Sequence, residues 1–181
     1  KLTNEIIKTE INFETNLFYT NVDAYGNPRD TDMYISYGAA SGISSLLIAY
    51  EATSNEKYLN QAKNTLLAYW DLRSKDTNLL PSMVNADTKE IKQEFMQQYG
   101  AGIFLKLLLH YYYLTDDPEI MSIMMTYSDS VIEHFWDGKT WDYRVNYDGT
   151  ILSNSIEANF GKLDDALFLL HELDPIMFDN V

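Results

Sequence analysis

The feature that most constrains this chain is an internal repeat. Tyr37-Gly38-Ala39, followed by Leu46-Leu47, Tyr50 and Thr53, recurs at the same offsets as Tyr99-Gly100-Ala101, Leu108-Leu109, Tyr112 and Thr115. A third copy opens at Phe160-Gly161 and continues through Leu169-Leu170 and Leu173. A second pattern keeps step with the first: Asn21-Val22-Asp23, Asn85-Ala86-Asp87 and Asn146-Tyr147-Asp148 each place Asn-x-Asp ahead of the aromatic-Gly pair. The period, roughly 61 to 64 residues, is longer than that of open helix–turn–helix solenoids. One such unit cannot bury its apolar face alone, so successive units must stack. The spacing divides the chain into units at about 16–74, 79–136 and 140–181 within a single domain, and 181 residues suit one core rather than two.

Each unit reads as a hairpin followed by two helices. Alternation from Trp141 to Asn146 predicts a strand, Asp148-Gly149 a type I′ turn and Ile151-Leu152 the return strand. Tyr25-Gly26-Asn27-Pro28 serves as the turn in the first unit. Inner helices are expected over about 33–52 and 91–114, apolar around much of their circumference, with Gly38, Gly42, Gly100 and Gly102 marking close approach to neighbours. Outer helices are expected over 56–73 and 118–135, each apolar on one face; Asp117 is the N-cap of the second, with Pro118 in its first turn and Glu119 at its positive end. The fold class that follows is all-α: an incomplete α/α-toroid of repeated helical hairpins, with short β-hairpins at one end. That end gathers the inner-helix N-termini, whose free N–H groups and partial positive charge suit a polar substrate.

Composition excludes several functions. With 27 acidic and 13 basic residues, net charge −14, the chain repels phosphate backbones and anionic bilayers, so no nucleic-acid partner is expected. No apolar run approaches bilayer length; Ile103 to Leu109 is the longest and Lys106 breaks it, so no membrane insertion is expected. The absence of cysteine removes disulfides, thiolate chemistry and Cys-based zinc sites. His110, His134 and His171 follow no metal-ligand spacing and read as core or surface side chains, so no metal is expected. The compartment is left open, with the Tyr- and Asn-rich surface tilting toward an extracytoplasmic setting.

Candidate chemistry lies in the loops and first turns of the inner helices. Asp32 and Glu94 each stand five residues before the aromatic of their unit, where the third copy has Ser155 with Glu157 nearby. Paired carboxylates suit glycoside cleavage, one protonating the leaving oxygen while the other activates water or attacks. Asp142, beside Trp141, is a third candidate catalytic acid, and Arg144 could hold a carboxylated sugar by a bidentate contact. Tyr34, Tyr37, Tyr99 and Trp141, with Trp136 and Phe160, could stack on sugar rings. Each has a structural alternative: acids favour helix N-termini, and aromatics pack hairpins onto helices. The Asn-x-Asp repeat reads as turn chemistry.

Phe18-Tyr19-Thr20-Asn21-Val22-Asp23-Ala24-Tyr25-Gly26-Asn27-Pro28-Arg29-Asp30, running on to Tyr34 and Tyr37-Gly38, resembles the six-hairpin (α/α)6 carbohydrate enzymes, above all the N-acylglucosamine 2-epimerase superfamily. Ala49-Tyr50-Glu51-Ala52-Thr53 leading to Lys57-Tyr58-Leu59, and Tyr113 to Pro118, extend the likeness over most of the chain. The same pattern also looks like uronic acid C5-epimerases and several glycosidase and lyase families. The resemblance implies a carbohydrate-active enzyme domain, a sugar epimerase or a glycoside hydrolase/lyase, acting on a saccharide without a cofactor. Sugar 2-epimerases of this group use paired histidines with an arginine near the axis, and no histidine here begins an inner helix. Six hairpins close such a ring and this chain holds fewer, which predicts that the remaining toroid comes from the rest of a longer chain or from another subunit. The alternative is a non-catalytic helical-repeat module that binds glycan or protein.

Overall fold

A computed structural model describes residues 10–35, 40–153 and 162–173. Among them are five helices: α1 (Ala40–Thr53), α2 (Glu56–Trp70), α3 (Gln98–Thr115), α4 (Pro118–Phe135) and α5 (Lys162–Leu173). Ten short strands surround them: β1 (Ile11–Asn12), β2 (Leu17–Phe18), β3 (Asn21–Val22), β4 (Pro28–Asp30), β5 (Asp32–Tyr34), β6 (Met83–Asn85), β7 (Ile91–Gln93), β8 (Phe95–Gln97), β9 (Arg144–Asn146) and β10 (Ile151–Ser153). The chain is therefore helix-rich with small β-hairpins.

Helices α1, α3 and α5 are the inner row, with α3 packed against both α1 and α5. Helix α2 packs on α1 and α4 on α3. The sequence accounts for the two helix-to-helix turns. Thr53 Oγ1 donates to Ala49 O (2.5 Å), and Thr115 Oγ1 donates to Tyr111 O (2.9 Å). Each hydroxyl then accepts the N–H two residues on, from Asn55 and Asp117. Ser54 (φ 52°) and Asp116 (φ 51°) take the left-handed conformation that closes the helix, their N–H groups returning to Tyr50 O and Tyr112 O. Asn55 and Asp117 then cap the outer helices by accepting from Lys57 N (3.1 Å) and Glu119 N (2.9 Å).

The inner helices start later than their apolar runs suggest. Residues 33–34, 91–93 and 95–97, expected to be helical, lie in β5, β7 and β8, and the described helices run from Ala40 and Gln98. Short apolar runs do not distinguish a buried strand from a helix, and Met33 and Met96 are buried while the residues on either side of each are partly exposed, as in a strand. Helix α2 likewise ends at Trp70 rather than Arg73, the chain leaving through Leu72 N→Tyr69 O and Arg73 N→Trp70 O. Strand β9 begins at Arg144, with Trp141 confined to an isolated bridge to Trp136.

Strand pairing stitches successive units together. Strand β5, leading toward α1, pairs with the β6–β7 hairpin of the next unit, and β8, leading into α3, pairs with β9–β10 in the same way. The registers match: Asp32↔Asn85, Met33↔Val84 and Tyr34↔Met83 in one sheet, Phe95↔Asn146, Met96↔Val145 and Gln97↔Arg144 in the other. Their middle pairs are buried. Asp32 is thus the counterpart of Phe95, and Glu94 that of Thr31, since Ala86 N→Thr31 O and Tyr147 N→Glu94 O are the equivalent bonds. Counting back from the aromatic had aligned Asp32 with Glu94, one residue out of register.

The hairpin turns carry a related correction. Asn146 O accepts from Gly149 N (2.9 Å) while Asn146 N donates to Thr150 O (2.8 Å), and only Gly149 (φ 87°) has positive φ there. This is a three-residue loop closed by a left-handed residue, not a type I′ pair at Asp148-Gly149. Asp23 and Gly26 repeat the arrangement, and the second unit lengthens it by one residue, with Lys89 (φ 61°) in the left-handed place. The turn-opening residues are therefore Asp23, Asn85 and Asn146, so the first Asn-x-Asp copy sits two residues off the others. Turn chemistry is still its role: Asp23 Oδ1 accepts from Tyr25 N and Asn27 N, and Asn85 Oδ1 from Asp87 N and Thr88 N.

Close approach at the inner row rests on Gly102. A Cβ there would lie 2.5 Å from the backbone of Lys162 and Leu163, so α5 starts directly over it. Below, Phe104, Trp70 and Tyr127 form an edge-to-face cluster in the buried core.

Candidate functional site

The inner row leaves a hollow of about 460 Å³ on the face shared by α1, α3 and α5. Tyr99, Ile103, Lys106 and His110 project into it from α3, Ser41 and Ser44 from α1. Their spacing along α3 is that of one helical face, a partly polar stripe on an otherwise apolar helix. Lys106 Nζ reaches Asp165 Oδ2 on α5 (2.7 Å), and His110 Nε2 meets Glu51 Oε2 on α1 (3.1 Å). Lys106 draws the Asp165 carboxyl below its ordinary range. The hollow thus has an aromatic and hydroxyls at the inner-helix N-terminal end and a histidine–carboxylate pair further along, groups able to stack on a ring, donate to hydroxyls and move a proton. Among the described residues, no three His, Asp or Glu groups are placed to hold a metal ion, and no helix is long and apolar enough to cross a membrane.

The described residues singled out in the sequence fall in several surroundings. Tyr99 lines the hollow. Tyr34 is exposed at the end of β5, and Tyr37 lies outside the described residues. The Asp32 carboxylate accepts from Asn85 Nδ2 (3.0 Å) across the β5–β6 ladder. Glu94 is exposed between β7 and β8 and borders a different hollow, about 640 Å³, between the loop after α2 and the β9–β10 hairpin. There Arg73 is already engaged by the Trp70 ring (4.3 Å) and by Asn78. Asp142 is buried at the end of α4, its N–H donating to Phe135 O (2.7 Å); desolvation, with the Asp137 charge adding to it, holds its carboxyl above the usual range. Trp141 stacks obliquely on Trp136 and donates from Nε1 to Asp164 Oδ1 (2.7 Å), tying the hairpin to α5. Arg144 lies on β9 between the rings of Phe95 (5.3 Å) and Tyr143 (4.9 Å). Asp32, Glu94 and Asp142 stand in three separate surroundings, and no hydrogen bond joins any two of them.

Lys106 and His110 were not among the sequence candidates. The signal was available: stepping by four, three and four residues from Tyr99 reaches Ile103, Lys106 and His110, the only face of α3 that interrupts its apolar run.

No family model matches the chain, and no curated protein matches it by sequence. Its fold is shared with solved structures. A D-mannose isomerase superposes with a TM-score of 0.77 at 18% identity over 97% of this chain and 49% of that one. A cellobiose 2-epimerase from Spirochaeta thermophila gives 0.81 at 14% identity, over 98% and 46%. A family 105 glycoside hydrolase from C. acetobutylicum gives 0.74 at 14% identity, over 94% and 49%. The chain spans about half the length of these proteins, whose carbohydrate chemistry differs from one to the next.

Proposed function

We propose that this chain is half of an α/α-toroid of a carbohydrate-active enzyme, a sugar epimerase or a glycoside hydrolase/lyase that binds a saccharide in the hollow of the inner row. The observation that carries the reading is the hollow itself, with Tyr99, Ser41 and Ser44 at its N-terminal end and the His110–Glu51 pair below. The fold shared with isomerase, epimerase and glycosidase structures supports it. Three inner helices make half of a six-hairpin ring, and the other half comes from further chain or from another subunit. Tyr99 stacks on the sugar, with Tyr34, Trp141 and Arg144 further out along the mouth. Proton transfer falls to His110, whose carboxylate partner orients the ring, or to Asp32, Glu94 or Asp142. No cofactor is required for either reaction type.

A non-catalytic saccharide-binding module is the second reading. It is favoured by Asp32, which is engaged by Asn85, and by Asp142, which is buried.

Incubating the full chain with mono- and disaccharides in D2O separates these readings. An epimerase incorporates deuterium beside the carbonyl, a hydrolase releases new reducing ends, and a binding module does neither while still shifting the resonances of the sugar. Substituting His110 by Asn is expected to lower turnover by roughly 10²–10⁴-fold, the range of a lost acid/base group. Turnover unchanged in that variant would remove His110 from the mechanism.

A further inference from the structure

Among the described residues, Arg144 stands apart from the paired and the exposed lysines. Lys63, Lys92 and Lys106 are each paired with a carboxylate within 2.8 Å, and Lys57 and Lys75 are exposed to water. Arg144 is half-buried, its Nε fully so, and among the described residues neither a hydrogen bond nor an ion pair satisfies that nitrogen. This is unusual in a chain with 27 acidic residues against 13 basic ones, where acid partners are abundant. A buried donor left unbonded carries a desolvation cost, and a guanidinium, which stays charged, cannot escape that cost by titration.

Its neighbours are arranged to hold the group rather than to neutralise it. The rings of Phe95 and Tyr143 flank the guanidinium. Directly across the ladder on one side is Gln97, the residue at the N-cap of α3, whose side chain makes no capping bond. On the other side is Ser153, whose Oγ is also buried and unbonded. The N-terminal end of α3 adds partial positive charge beside this row. A planar cation, an amide, a hydroxyl and a helix N-terminus are the complement of a carboxylate, which takes two parallel N–H bonds from a guanidinium. A single arginine at this row, in so acidic a molecule, suits a singly charged group better than a phosphate carrying two charges.

Resting on the saccharide reading above, we infer that Arg144, with Gln97 and Ser153 on either side, receives the carboxylate of a uronic-acid unit at the N-terminal end of α3. The substrate class is thereby narrowed from saccharides in general to acidic ones.

The test is calorimetric titration of the full chain with uronic-acid oligosaccharides, their methyl esters, neutral oligosaccharides of the same linkage and a sugar phosphate. The uronide is expected to bind at least ~10-fold more tightly than its ester or the neutral sugar, a preference that shrinks as salt rises. Arg144→Gln is expected to abolish the preference, so that uronide, ester and neutral sugar bind alike. Arg144→Lys, which keeps the charge but loses the fork, should recover only part of it. Equal affinity of the wild-type chain for uronide, ester and neutral sugar overturns the inference and leaves the saccharide reading standing. Tighter binding of the sugar phosphate also overturns it, reassigning the row to phosphate. Binding of none of these overturns both. Should Arg144→Gln fail to fold, the wild-type comparison of acid with ester and the Ser153→Ala variant, expected to weaken uronide binding alone, still decide.

Discussion

Asp117 and Asp142 carry the same carboxyl group into opposite surroundings. Burial alone would raise the Asp117 pKa, but the hydrogen bond from Lys63 (2.7 Å) and the N–H of Glu119 outweigh it, and the carboxyl titrates below its ordinary value. Lys63, held by Asp117 and Glu119, is pushed the other way, well above the ordinary lysine value. For an acid whose folded pKa is depressed, the stabilisation is present above the unfolded pKa and lost as pH falls through the folded one. The contribution of Asp117 should therefore persist at neutral pH and fade as pH falls from about 4, the ordinary aspartate value, through the lower folded one. Asp117→Ala should cost ~1 kcal/mol of unfolding free energy at pH 7, a cap's usual worth, and less at pH 2, as denaturant titration at the two pH values would reveal. Asp142 is the reverse case: its carboxyl is raised, so the ionised form destabilises the fold above that pKa. Asp142→Asn should melt at a higher temperature than the wild type at pH 7, the gain fading as pH falls; a lower melting temperature would mean that the carboxylate has a stabilising partner.

At the scale of elements, the helices follow local rules and the strands do not. Tyr50-x-x-Thr53 and Tyr112-x-x-Thr115 were legible because the helix-ending turn needs a hydroxyl bonding backwards and a cap just after it. Strands β5 and β8 were not, because three-residue strands are specified by partners some fifty residues away, and nothing local separates Met33 or Met96 from a helical apolar position. Another repeat stood in plain view: Thr15-Asn16-Leu17 and Thr77-Asn78-Leu79 share a left-handed Asn, a leucine N–H that donates to the threonine hydroxyl, and that hydroxyl's own bond to the next hairpin at Ala86 O and Tyr147 O. Where inner helices meet, Gly102 sets the distance. Gly102→Ala forces a methyl against the backbone of Lys162 and Leu163, which cannot yield as a side-chain tip can. The expected loss is about 1–3 kcal/mol by thermal or chemical denaturation. An unchanged stability would mean that α5 shifts freely over α3.

Across the whole molecule, the repeat placed Tyr99 at the start of an inner helix, and the hollow it borders is where the row of inner helices is open. The partners of Tyr99 could not be read from one unit, because Lys106 and His110 acquire Asp165 and Glu51 only when neighbouring units stack. Arg144 was legible as a polar residue on a hairpin, but its place between Phe95 and Tyr143 depends on a pairing made across units. A saccharide is predicted to occupy this hollow, and the direct measurement is amide hydrogen exchange of the full chain with and without a saccharide panel, repeated for Tyr99→Ala. Saccharide-dependent protection concentrated in the first turns of α1 and α3, and lost in Tyr99→Ala, is the predicted result. No protection by any saccharide, or protection elsewhere that survives the substitution, would contradict it.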